Sequence, residues 1–259
     1  MNIIVCQNYD HLSDYAKDLV INTINNNDKP VLGLATGSTP EGMYQALIKA
    51  YQEKHVSFKD VTTFNLDEYI GLGKEDPNSY HHFMDEHLFN HVDIDQNETF
   101  VPPGNTDNHE QACLDYEQNM HRHGDIDLQV LGLGVNGHIG FNEPGTPFDT
   151  RTHVIELDES TRVANARFFD SIDDVPTHAI TMGIETIMES KQIVLLASGD
   201  SKKEAVQRLV NGEETPDFPA SILHRHNNVT VILDRDAASY YRLSKLIRLL
   251  DLNNHVILM

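Results

Sequence analysis

Short apolar runs alternate with longer amphipathic stretches along the chain. The runs Ile3–Cys6, Val31–Ala35, Val61–Leu66, Ile126–Leu133, Thr152–Leu157, His178–Met182, Gln192–Ala197 and Val229–Leu233 predict strands. The stretches Asp10–Asn26, Pro40–Tyr51, Ser79–Phe89, Asn108–His121, Ile184–Glu189, Lys202–Leu209 and Asp236–Leu250 predict helices. Strand and helix in alternation argue for an α/β fold, a parallel sheet with helices on both faces. Ile193–Ala197 is apolar throughout, as a strand buried on both faces should be. The Pro- and Gly-bearing stretch Asn142–Thr150 is too short to separate two domains and reads as an active-site loop. One domain over residues 1–259 is therefore expected. In open α/β sheets ligands sit beyond the carboxyl ends of the strands, so polar residues just past those ends are the candidates.

Charge narrows the chemistry. The formal net charge is −21. A surface this acidic repels phosphate backbones and anionic lipid, so neither a nucleic-acid nor a membrane partner is expected. Any anion the chain binds must meet a local positive site. The longest apolar runs fall well below the ~20 residues of a membrane span. The N-terminus turns polar at Gln7 and lacks a basic n-region, so no signal peptide is expected. Two cysteines, Cys6 and Cys113, form no disulfide framework or zinc site alone. The expected compartment is the cytoplasm.

Four strand ends carry polar chemistry. The first is Gly33–Pro40, where a turn with free N–H groups, Ser38 and Thr39 leads into a helix. Thr39 suits the N-cap and Pro40 the first helical position. The segment reads as an anion cradle or, equally, as an ordinary capped turn. The second is Asp67-Glu68-Tyr69. Neighbours on an extended segment point to opposite faces, so at most one carboxylate enters a cleft, where it could abstract a proton. A solvated acidic loop is the commoner outcome for such a pair.

The third is Leu131–Pro144. It contains Gly132-x-Gly134-x-x-Gly137, but Gly140, Pro144 and Pro147 make the helix of a dinucleotide site improbable. Asn136, His138 and Glu143 within eight residues form a proton-transfer group instead. The fourth comprises Arg162/Arg167 and Lys202/Lys203, conspicuous cations in an acidic chain and suited to phosphate. Histidines such as His87 and His91 lack convergent partners, so no metal is expected.

Together these segments resemble the glucosamine-6-phosphate deaminase (isomerase) family. The resemblance rests on LATGSTP, VTTFNLDEYIG, LGLGVNGHIGFNEP, STRVANARFF and Gly199–Lys202, in order over nearly the whole chain. It implies a Rossmann-like α/β fold, no cofactor, and conversion of glucosamine 6-phosphate and water to fructose 6-phosphate and ammonia. It places the catalytic base on Asp67, the ring-opening histidine on His138 and its supporting carboxylate on Glu143. It places phosphate contacts on Ser38, Thr39, Arg167 and Lys202.

Two departures stand out. Many members carry Asp two residues before the ring-opening histidine, where this chain has Asn136. An amide cannot exchange a proton at neutral pH but can orient His138 and fix its tautomer. Members activated by N-acetylglucosamine 6-phosphate carry basic residues where this chain has His153 and Ile155, with Arg151 nearby. An absent allosteric site is expected. The competing readings are a 6-phosphogluconolactonase-type hydrolase and a non-catalytic sugar-phosphate sensor. The lactonase needs no base at C2, and the sensor normally carries an added DNA-binding unit. A monomer and a homo-oligomer are both compatible with the sequence, and Leu243, Leu246, Ile247 and Leu250 offer an apolar face for either.

Overall fold

The computed structural model describes residues 1–241. Its strands are β1 (Asn2–Val5), β2 (Val31–Leu34), β3 (Thr62–Asn65), β4 (Asp67–Tyr69), β5 (Thr99–Phe100), β6 (Leu128–Gly132), β7 (His153–Glu156), β8 (His178–Thr181), β9 (Ile193–Ala197) and β10 (Val229–Leu233). Its α-helices are α1 (Tyr9–Asn25), α2 (Ser38–Gln52), α3 (Tyr80–His87), α4 (His109–His123), α5 (Glu159–Asn165), α6 (Ile184–Met188) and α7 (Lys203–Asn211). Side-chain caps fix three helix starts: Asn8 before α1, Ser79 before α3 and Asn108 before α4.

Seven strands form a parallel sheet in the order β1-β10-β9-β6-β2-β3-β5. Every residue of β9 and β10 is buried, as their apolar sequences require. The sequence pattern anticipates this α/β frame, but not a second sheet. β4, β8 and β7 form a separate antiparallel sheet. Thr152–Leu157 and His178–Met182 therefore leave the parallel sheet in which the alternation placed them. Local periodicity carries no information about which sheet a strand joins. The half-exposed alternation of β7 is consistent with its antiparallel setting.

The chain crosses between the sheets at Leu66. Its N–H donates to Leu34 O of the first sheet, and its carbonyl accepts from Met182 N beside the second. Asp67, the next residue, opens β4 opposite Thr181. The segment read as a strand end followed by a loop is thus the seam between two sheets.

One helix start also differs from expectation. α2 begins at Ser38, and its N-cap is Gly37 rather than Thr39. Gly37 holds φ +93°, a conformation that admits glycine readily, and this starts the helix early. Lys202 ends a 3-10 turn that runs into α7 rather than lying in the α-helix itself. The helix expected over Asp236–Leu250 falls largely outside the described residues, and its apolar face entirely so. Cys6 and Cys113 are both buried and free.

Candidate active site

A cavity of about 480 Å³ opens beyond the carboxyl ends of β2, β3, β6 and β9. Each of the four strand-end segments contributes to its wall: Thr36–Pro40, Leu66–Asp67, Gly132–His138 and Ser198–Lys202. Arg167 joins them from the turn after α5.

One end of the cavity suits an anion. Gly37 makes no side-chain cap, so the first N–H groups of α2 are left for a ligand. The Tyr9 hydroxyl braces this turn. It accepts from Gly42 N–H at 2.8 Å and lies 2.9 Å from Ser38 O. Arg167 Nη2 donates to Ser38 Oγ at 3.0 Å. Lys202 is half-buried, and burial followed by the nearby Arg167 charge lowers its pKa. Two cations held together against their own repulsion make a local positive site inside an acidic protein.

The other end holds acids. Asp67 and Glu68 are both buried, so the solvated-loop reading fails. Strand geometry separates them as alternation requires: Asp67 lines the cavity, and Glu68 points away. Burial, reinforced by the Glu68 charge and opposed by Phe141 N–H, pushes the Asp67 carboxyl up to about 8.

His138 faces Asp67's cavity from the loop after β6. Gly134 permits the ring to lie against the backbone, since a Cβ there would sit 2.5 Å from the imidazole carbons. The Gly134 carbonyl accepts from Gly137 N at 3.0 Å, and Gly134 N–H donates to His138 O at 3.0 Å. These bonds close the glycine-rich stretch as a tight turn, not a helix start. Asn142 anchors the far side by donating to Ile139 O and Met182 O at 2.8 and 2.9 Å.

His138 Nδ1 lies 3.3 Å from Glu143 Oε2. The contact is close but is not an aligned hydrogen bond. Burial pushes the Glu143 carboxyl up, but His138, with help from Asn136, outweighs it and holds the carboxyl below its ordinary value.

Asn136 supports His138 without touching the imidazole. Its Nδ2 donates to Glu143 Oε2 at 2.8 Å, and its Oδ1 accepts from the backbone N–H of His138 at 3.2 Å. No bond joins it to the ring. It acts on the carboxylate behind it and on the loop backbone.

Comparison with known proteins now decides the family. The sequence profile of the glucosamine-6-phosphate isomerases/6-phosphogluconolactonase family matches residues 7–232. This chain belongs to that family. A glucosamine-6-phosphate deaminase of Oceanobacillus iheyensis is 57% identical over 248 residues, covering 95% of this chain and 99% of the relative. Glucosamine-6-phosphate deaminase 1 of Bacillus subtilis is 54% identical over 239 residues, covering 92% and 99%. A solved structure of a monomeric glucosamine-6-phosphate deaminase superposes with a TM-score of 0.91 at 54% identity, covering 92% of this chain and 99% of that one. A 6-phosphogluconolactonase from Trypanosoma cruzi superposes with a TM-score of 0.72 at 19% identity, covering 92% and 96%, and shares the fold.

Within this family fold the structure brings Ser38, Thr39, Asp67, His138, Arg167 and Lys202 to one cavity. Asn136 and Glu143 stand behind His138 instead of on the wall. Arg162 is turned away: its guanidinium donates to the carbonyls of Ile172 and Val175. Lys203 pairs with Asp200 at 2.7 Å. Among the described residues no group of three or more His, Cys, Asp or Glu is placed to hold a metal ion. Strand-end reasoning passed over Thr36 and Ser198, which the same rule would have found. It also passed over Tyr80, which α3 delivers by packing and which no local signal marks.

Proposed function

We propose that this chain converts glucosamine 6-phosphate and water into fructose 6-phosphate and ammonia, a hydrolytic C–N cleavage in amino-sugar catabolism. One observation carries the reading: a buried carboxyl with a raised pKa shares a cavity with a two-cation anion cradle. The deaminase relatives at 57% and 54% identity support it.

The substrate phosphate binds the α2 N-terminus, Ser38, Thr39, Arg167 and Lys202. Binding energy from this non-reacting end positions the sugar. His138, backed by Glu143, moves the proton that opens the pyranose. Asp67 then takes the C2 proton, which the new C1 carbonyl acidifies, and returns it to C1 of the enolamine. An imine remains at C2. Water adds to it, and ammonia leaves with the bonding pair and a proton. A base near pH 8 has enough proton affinity for a carbon acid and still ionises close to neutrality.

The proposal extends to regulation. Arg151 is committed to Glu189 at 2.8 Å and Glu117 at 3.6 Å. His153 Nδ1 lies 2.8 Å from Arg151 O, and burial lowers the ring's pKa. These positions offer no free cation for an effector phosphate. The expected kinetics are hyperbolic with or without N-acetylglucosamine 6-phosphate. A sigmoidal curve made hyperbolic by that compound overturns this part.

The test of the reaction is incubation of purified protein with glucosamine 6-phosphate, following ammonia and fructose 6-phosphate together. Equal yields, absent with Asp67→Asn, are expected. Hydrolysis of 6-phosphogluconolactone without ammonia release overturns the proposal in favour of the lactonase.

A further inference from the structure

Glu68 is the second carboxyl of the acidic pair, and the mechanism above does not use it. It is 2% exposed and has no cationic partner among its contacts. Its carboxylate is instead satisfied by backbone. Oε1 accepts from Tyr69 N and Tyr80 N, each at 2.9 Å, and Oε2 accepts from His81 N at 2.9 Å. Tyr80 and His81 are the first two residues of α3. Their N–H groups are among those that a helix leaves unpaired, and a negative charge at that end is favoured. Ser79 caps the next one, at His82 N. The start of α3 is thus tied to β4 by a carboxylate one residue from Asp67.

What α3 delivers is Tyr80. Its ring packs against Tyr69 at 4.8 Å and stacks on Phe141 at 5.9 Å between centroids. Its hydroxyl lies 3.2 Å from that of Tyr69 and reaches Thr36. Tyr80 also separates the main cavity from a smaller one of about 170 Å³ lined by Tyr69, Phe83 and Phe169. Phe141, on which it rests, carries the N–H that meets Thr181 Oγ1 at 3.0 Å, beside Asp67.

We propose that Glu68 is a positioning residue for proton transfer at Asp67. Its buried carboxylate clamps the first turn of α3 to β4, fixing Tyr80 as the cavity wall, and stands one residue from the base it serves. This inference rests on the deaminase reading and extends it to a residue that touches no substrate. A carboxylate is the group the geometry calls for. Three N–H donors converge on two oxygens, and a glutamine would turn its NH₂ toward one of them. The groups facing this pair are Asp76 on the loop before α3, Tyr69 and Tyr80, and Tyr116 from α4. Burial pushes the Glu68 carboxyl up to about 7 against the pull of its three N–H donors.

Two substitutions separate clamp from charge. Glu68→Gln removes the charge and one acceptor. Its expected effect is a kcat lowered by up to about 10²-fold, as for a small misplacement near the chemistry, with KM nearly unchanged. The acid limb of the kcat profile should move to lower pH, since Asp67 loses a like-charged neighbour. Glu68→Asp keeps the charge but is one methylene short, so kcat should fall with the acid limb in place. Parental kcat in Glu68→Asp overturns the clamp. An acid limb unmoved in Glu68→Gln overturns the electrostatic part, and loss of thermal stability alone in both variants reduces Glu68 to a structural residue. Carboxyl titration of Asp67 by NMR in the substrate-free proteins reads the charge effect without turnover. If the parent releases no ammonia, the deaminase reading fails, while the titration still decides the coupling.

Discussion

The two ends of the cavity treat solvent in opposite ways. At the anion end Ser38 and Arg167 are exposed, Lys202 is half-buried, and no side chain caps the first N–H groups of α2. At the proton-transfer end Asp67, Glu68 and Glu143 are 6%, 2% and 3% exposed. A charge that only has to hold a phosphate can stay wet. A charge that has to move a proton from carbon gains from being dried, because burial raises its basicity. At this cavity the cations stand toward solvent, as charged side chains usually do, while the three carboxyls are buried, which is the exception.

The largest expected break of this contrast is Asp67→Asn. Loss of a general base costs about 10²–10⁴-fold in turnover, and affinity for the sugar phosphate should stay near parental because the other end is intact. Stopped C2–hydrogen exchange with retained binding is the result to look for. Arg167→Ala should do the opposite. A hydrogen bond to a charged group is worth about 1.5–3 kcal/mol, so KM should rise on the order of 10- to 100-fold. A fall in kcat alone would speak against its anchoring role.

The pH profile sharpens the difference further. In the proposed mechanism the active form of Asp67 is its carboxylate, and burial pushes its pKa up to about 8. Below that value kcat should fall about tenfold for each unit. Stability carries the opposite sign. A folded-state pKa raised from 3.8 to about 8 means that the native protein binds the extra proton. The stabilisation is complete below the unfolded value and is lost as pH rises through about 8. Asp67→Asn should therefore melt higher than the parent above pH 8, and that advantage should vanish as pH falls toward 4. Melting scans at both ends of the window check this. The smallest effect concerns salt: KM should rise several-fold with ionic strength, as exposed cations are screened at a Debye length of about 8–10 Å, while the acid limb should hardly move.

Much of this cavity was legible without coordinates because of one rule. Residues just past the ends of parallel strands converge, and LATGSTP, NLDEY, GVNGHIG and GDSK each sit there. The rule places Asp67 and His138 near each other although 71 positions separate them. Alternation along Asp67-Glu68 also foretold that only one carboxyl would face the cavity. The errors cluster where the rule has no purchase. Thr152–Leu157 and His178–Met182 were readable as strands but not as members of a second sheet.

The sequence by itself determined the alternating elements, the buried parallel core, the four polar strand ends and, through its resemblance, the family. These follow from periodicity, turn chemistry and residue type, all of them local. Tertiary structure alone decided that the chain changes sheets at Leu66, that Glu68 reaches back to the start of α3, and that Tyr80 forms the wall. It also decided that Asp67 is buried, which pushes its carboxyl up to about 8. Burial belongs to the packed whole, since a carboxyl acquires most of its proton affinity from what the fold packs around it.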